Sequence, residues 1–137
     1  MERYMVIMPS GEIRWELVEP AERMKRFYEI IGTDFVENVY TILPDICIIV
    51  DEYGKLKNPP QQYNVWASLL YAGFLLRQDY IAGPAIVAAI HLVDGESDWV
   101  PLNQEEEKKL REMGLYPGEG GSWRGIYSKW KIGQPTI

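Results

Sequence analysis

Short blocks of alternating apolar and polar residues run along most of this chain, separated by blocks with helical spacing. Tyr4–Met8 is apolar-rich, which predicts a first strand, and Pro9-Ser10-Gly11 is a turn by composition. Ile13, Trp15 and Leu17 alternate with Arg14, Glu16 and Val18; this period of two predicts a second strand, paired with the first as a hairpin. Pro20 suits the first residue of a helix, where its missing N–H costs little. Met24, Phe27, Tyr28 and Ile31 then recur at i, i+3, i+4 and i+7 as one apolar face, and Gly32 closes the helix. Phe35–Leu43 alternates again, Pro44-Asp45 turns the chain, and Ile46–Val50 is the most buried strand candidate, with the preceding strand as its partner.

Residues 61–76 return to helical spacing at Tyr63, Trp66, Leu70 and Phe74, with Val65, Ala67, Leu69 and Ala72 widening the apolar surface. Such a helix is either central or shared with another subunit. Ala85–Val93 predicts a strand after the Ile81-Ala82-Gly83-Pro84 turn, Asp94-Gly95 a hairpin tip, and Trp99–Leu102 an extended segment. Asn103 followed by Glu106 resembles a capping box, and Gly114 sits where a helix ends. This order predicts an α+β fold: a small, mainly antiparallel sheet, about three helices and a Gly/aromatic-rich C-terminal tail. Residues 1–114 form the expected domain. Residues 115–137, with five glycines beside Trp123, Tyr127 and Trp130, form a flexible tail or docking segment.

A length of 137 residues suits one core. The net charge of −6 disfavours duplex nucleic acid, whose binding rests on Lys and Arg displacing counterions. With one cysteine, Cys47, and one histidine, His91, the chain has neither an intramolecular disulfide nor the usual ligands of structural zinc. The N-terminus shows no signal-peptide core, and no apolar stretch approaches the roughly 20 residues of a membrane helix. The expectation is a cytoplasmic protein (in the host cytoplasm if phage-encoded) that needs no cofactor. The 5 Trp and 9 Tyr supply burial area for core and interface packing first, and also stacking surface for bases, sugars and partner proteins.

Cys47–Pro60 carries the most specific pattern, an apolar strand that delivers Asp51, Glu52 and a polar turn. At Glu52-Tyr-Gly54-Lys55-Leu56, followed by Pro59-Pro60, the chain resembles a domain family of unknown function carried by bacteriophages and other mobile elements. Three further stretches agree: Met24 through Tyr40, Ile81 through Val87, and Trp99–Leu102 leading into the acidic helix Gln104–Met113. Gln61-Gln62 stand where the family often has Asn-Arg, so no arginine role is carried over. The resemblance implies an intracellular accessory protein and supplies no reaction or catalytic residues.

Candidate chemistry is sparse. Lys55, Lys57 and the backbone around Gly54 offer an anion site, while Tyr63, Trp66 and Arg77 offer stacking and charge near the central helix. Trp123 and Arg124 add a glycine-flanked aromatic and a cation, without a phosphate-loop pattern. Asp51 and Glu52 are adjacent on a strand and point to opposite faces, so a charged strand end at solvent is the simpler reading than a catalytic pair. His91 reads as hydrogen-bonded near Asp94 and Glu96, and Cys47 as a small buried side chain.

The expected function is sequestration of a small anionic, nucleotide-like ligand, countering host defence signalling. Its alternatives are a module that inhibits a host protein through Trp123–Trp130, and a hydrolase using Asp51, Glu52 or His91. Self-association is expected from the apolar 61–76 helix and the aromatic tail.

Overall fold

The computed structural model describes residues 1–57, 62–73, 79–119 and 123–132, with the backbone alone for Trp123, Lys129, Trp130 and Ile132. Among the described residues six strands run β1 (Glu2–Ile7), β2 (Ile13–Val18), β3 (Val36–Tyr40), β4 (Ile46–Asp51), β5 (Ala85–Val93) and β6 (Glu96–Val100). The helices are α1 (Arg23–Ile31), α2 (Val65–Ala72), α3 (Gln104–Glu112) and α4 (Trp123–Ile132). The strand order is β2-β1-β5-β4-β3, and all pairings are antiparallel. The expected α+β architecture is therefore present. The nine-residue β5 is its axis: β4 pairs along one side, while β1 and β6 share the other, β1 at Ala85–Val87 and β6 at Ala89–Val93.

The alternation along each strand divides the core into two layers. Met5, Ile7, Ile48, Val50, Val87 and Ala89 face α2, α3 and α4. Tyr4, Val6, Cys47, Ile49, Ile86 and Ala88 face α1, which contributes Phe27 and Ile31. Because β4 and the first half of β5 are buried on both faces, they read as continuous apolar runs rather than alternating ones. Pro20 opens a short 3-10 turn, Pro20–Glu22, that leads into α1, and Gly32 ends the helix with φ of 87°. The β5–β6 hairpin turns at Asp94 and Gly95, both with positive φ (51° and 83°).

Helix α2 is shorter than the spacing predicts. Tyr63 lies before it in an isolated bridge to Ala82, and residues 74–76 lie outside the described residues. Ala67, Ser68, Leu69, Leu70 and Ala72 are buried within the chain, so the apolar surface expected to drive self-association is largely used internally. The capping box at α3 forms as predicted. The Asn103 side chain accepts the Glu106 N–H at 2.8 Å, and Glu106 Oε1 accepts the Asn103 N–H at 2.8 Å. The other carboxylate oxygen, Glu106 Oε2, takes His91 Nε2 at 2.9 Å. His91 thus has a structural partner, but across the fold rather than at the neighbouring Asp94 or Glu96.

The described residues after Gly114 differ from a flexible tail. Leu115 and Ile126 are fully buried in the main core, and Tyr116 meets Trp15 edge-on at 5.6 Å. Arg3 stacks on Trp15 and Arg111 on Tyr116, each 3.9 Å from the ring centroid, while Glu107 accepts from both Arg3 and the Tyr116 hydroxyl. This network ties β1, β2 and α3 to the segment. Gly125 lets α4 lie against α3's end: a Cβ there would lie 2.6 Å from the backbone of Met113.

Two outcomes follow for stability. Ile126→Ala should cost about 2–5 kcal/mol in urea unfolding, the range for truncating a buried aliphatic side chain. A tail that merely docks elsewhere would leave stability unchanged. Burial pushes the Tyr4 hydroxyl and the Cys47 thiol each up to about 12. Above the ordinary thiol range the unfolded chain loses these protons first, so stability should be full below about pH 9 and fall as pH rises toward 12. Unfolding midpoints measured across that range check the sign.

Candidate functional site

Asn64 positions the segment that walls the site. It is fully buried just before α2, and its side-chain oxygen accepts the Ala67 N–H at 3.1 Å, capping the helix. Its amide nitrogen donates to the carbonyls of Ile7 and Gly83, each at 2.9 Å. Its backbone N–H donates to Ile81, and Ser68 Oγ accepts the Ile81 N–H at 2.9 Å. One amide therefore fastens the end of β1, the start of α2 and the approach to β5. Residues 79–82 are held beside β3 and β4 as a result.

A cavity of about 300 Å³ lies between them, with Glu37–Tyr40 of β3, Val50 and Asp51 of β4, Lys55, Tyr71 and residues 79–82 as its wall. Two of the charges around it pair with each other. Lys55 Nζ forms an ion pair with Asp79 and sits 5.1 Å from the Tyr80 ring centroid. Asp79 also accepts from the Tyr71 hydroxyl at 3.0 Å and from the Tyr80 N–H at 2.9 Å. The Lys55 hydrogen bond, followed by that of Tyr71, holds the Asp79 carboxyl below the usual range despite some desolvation. Glu37 moves the other way: partial burial raises it, Glu52 and Asp79 add repulsion, and Lys55 opposes them.

Asp51 is only 6% exposed, which corrects its reading as a strand end in solvent. Its Oδ2 takes Lys57 Nζ at 2.5 Å and its Oδ1 accepts the Tyr53 N–H at 2.9 Å. Glu52 is exposed, so the adjacent carboxylates do not act on one space. Gly54 is buried rather than an open anion-binding turn, and its φ is not positive. A Cβ there would come within 3.1 Å of the Ala82 carbonyl oxygen, so glycine permits close approach of the two walls.

The structure gathers only part of the expected residue set. Lys55 lines the cavity, and Lys57 reaches its wall through Asp51. Tyr63 stands behind the wall, its ring 5.2 Å from that of Tyr80. Trp66 does not line the cavity; it packs against the main core, with its indole nitrogen 3.5 Å from where a Cβ on Gly11 would lie. Arg124 is exposed on α4 and is not in the lining either. Trp123 opens α4, and Arg77 lies outside the described residues. Sequence reasoning missed Glu37, Tyr40, Asp79 and Tyr80, which contact the space only once β3 and the 79–82 segment are packed. Among the described residues no cluster of three His, Cys, Asp or Glu could hold a metal, and no helix is long and apolar enough to cross a membrane.

The family model for a domain of unknown function, DUF3846, matches residues 1–114. The chain belongs to the DUF3846 family. No curated protein and no solved structure matches it. All residues that wall the cavity fall inside the DUF3846 match, whereas Trp123 and Arg124 fall outside it. Strand β3, the Lys55 turn and the 79–82 segment thus belong to the DUF3846 unit itself.

Asn64→Ala should cost about 2–4 kcal/mol, since it removes a cap and leaves two buried carbonyls unpaired. Asn64→Asp keeps the cap acceptor but turns a carboxylate toward those carbonyls, so its cost should grow as pH rises and the new group ionises. Urea titrations at pH 5 and pH 8 measure both. Equal, small losses for the two variants would remove Asn64 from its central place.

Proposed function

We propose that this protein binds a small nucleotide-like ligand in the tyrosine-walled cavity and withdraws it from solution. The supporting observation is the space of about 300 Å³ with Tyr40, Tyr71 and Tyr80 in its wall beside Glu37, Asp51 and Asp79. That volume is at the small end of ligand pockets and suits a nucleoside-sized molecule. Tyrosine faces stack on a base, and carboxylates accept from ring N–H, amino and sugar hydroxyl groups.

The charge pairing changes which part of the ligand carries recognition. A phosphate would have to compete with Asp79 for Lys55 and with Asp51 for Lys57. Base and sugar therefore supply most of the affinity, and phosphate adds little. Removal of a signalling nucleotide or its nucleoside would suit an accessory protein of a phage or other mobile element acting against host defence. That setting comes from the resemblance at Glu52–Leu56 and Pro59-Pro60.

A hydrolytic reading has one observation in its favour. Glu37 is raised and Asp79 lowered beside one cavity, the separation that assigns an acid and a base. His91 has no part in it, being bound to the α3 cap and absent from the lining.

Isothermal titration of adenosine, guanosine, cytidine and their monophosphates tests the binding reading. At least one nucleoside should bind no more than about threefold more weakly than its monophosphate, a difference under 1 kcal/mol. Tyr80→Ala should weaken it about tenfold or more, and Arg124→Ala should leave it unchanged. Absence of heat with all six at millimolar ligand would sink the proposal. Steady release of product, lost in Glu37→Gln, would establish the hydrolytic reading instead.

A further inference from the structure

We propose that the outer edge of β3 is a strand-addition site for an extended segment of a partner protein whose residues alternate between basic and apolar. Strand β3 ends the sheet, and among the described residues no strand pairs with its outer side. The phase of its hydrogen bonds can be fixed. The Glu52 N–H donates to the Phe35 carbonyl at 2.8 Å, so that opposed pair is hydrogen-bonded. The pairs Glu37↔Val50 and Val39↔Ile48 follow in the same phase. Val36, Asn38 and Tyr40 therefore turn their N–H and C=O groups away from β4, toward the open side.

The edge is flanked by a recess on each face of the sheet. On the α2 face lies the cavity with Glu37, Asp51 and Asp79 in its wall. On the α1 face a groove of about 500 Å³ runs from Asn38 and Tyr40 over Met24, Ile90 and Trp99, with Ser97 and the Arg23–Asp98 ion pair also in its wall. The Trp99 indole is fixed there by donating to Asn38 Oδ1 at 2.9 Å. Tyr40, at the rim of both, is 73% exposed. An added strand sends successive side chains to opposite faces, so one set meets the exposed Glu37 carboxylate and the other meets Tyr40, Met24 and Trp99 in the groove.

Charge selects the occupant. A segment with Lys or Arg on the α2 face answers Glu37 and the net charge of −6. A second copy of β3 fits less well. Antiparallel pairing about Asn38 would put both Glu37 side chains on one face beside the other carboxylates. The antiparallel direction agrees with every pairing in the sheet.

This geometry makes a prediction that depends on which backbone groups face β3. In an antiparallel addition, the partner residues opposite Val36, Asn38 and Tyr40 exchange both hydrogen bonds with them and share their face. Those are the apolar residues. The probe is a fluorescein-labelled nine-residue peptide alternating arginine and leucine, read by fluorescence anisotropy. N-methylation of its leucines should weaken binding at least tenfold, and N-methylation of its arginines should change it less than threefold. Glu37→Lys, on an exposed side chain, should also weaken it at least tenfold with an unchanged circular dichroism spectrum. Equal effects of the two methylation patterns, their reversal, or no binding of the parent peptide would overturn strand addition. The site does not rest on the nucleoside reading: nucleosides that fail to bind leave the methylation pattern intact, and a lost pattern leaves nucleoside titrations unaffected.

Discussion

The buried Asn64 side chain is the constraint on which the rest of this structure depends. Three chain segments that are far apart in sequence end at one amide: the Ile7 carbonyl at the end of β1, the Ala67 N–H in the first turn of α2, and the Gly83 carbonyl before β5. An amide side chain suits this place because it offers an acceptor and two donors without charge. A carboxylate would lack the donors, and a hydroxyl would be too short to reach all three. Ser68, one turn further along α2, repeats the attachment through the Ile81 N–H. The wall formed by residues 79–82 is thus set by polar contacts at its back, leaving Asp79 and Tyr80 turned to the open side.

Much of the fold was legible because strand and helix periods are distinct. The strands at Ile13–Val18, Ile46–Asp51 and Ala85–Val93, the αL closure at Gly32 and the α3 capping box follow from local pattern alone. What failed was inference from proximity in sequence. His91 was referred to Asp94 and Glu96, yet a strand residue at the sheet surface meets whatever helix crosses it, here at Glu106. Gly54 opens the turn that the pattern predicts, but it is buried there without positive φ, and its missing Cβ serves the approach of Ala82. The glycines after Gly114 suggested flexibility, but Gly125 lets α4 lie against the backbone of Met113.

The candidate site was less legible than the fold, for an electrostatic reason. Lys55 and Lys57 stand out in sequence as two cations near a turn, and their partners do not. Asp79 lies 24 residues from Lys55. Asp51 was visible as a neighbour, but its burial was not, since it depends on the strand continuing one residue beyond the apolar run. Once both lysines are paired, the balance beside the cavity turns acidic. Tyrosines also line it, and they come from β3, α2 and the 79–82 segment. No local motif can report a set assembled from three separate elements.

The two edges of the sheet differ in a way that bears on where a partner would attach. Strand β2 is covered by its own charges: Arg14 pairs with Glu12 and Glu16, and Glu16 also takes Arg26 from α1. Both signs along that edge satisfy one another, which blunts pairing with another chain. Strand β3 has only Glu37 as a charged residue, between Val36 and Asn38, with Phe35 and Tyr40 exposed at its two ends. A single uncompensated charge deters a like edge and leaves an oppositely charged one welcome. The edge left open also has a recess on each face of the sheet beside it. Backbone groups, charge and shape therefore converge on β3, while β2 is closed by its ion pairs, of which Glu16–Arg26 fastens it to α1.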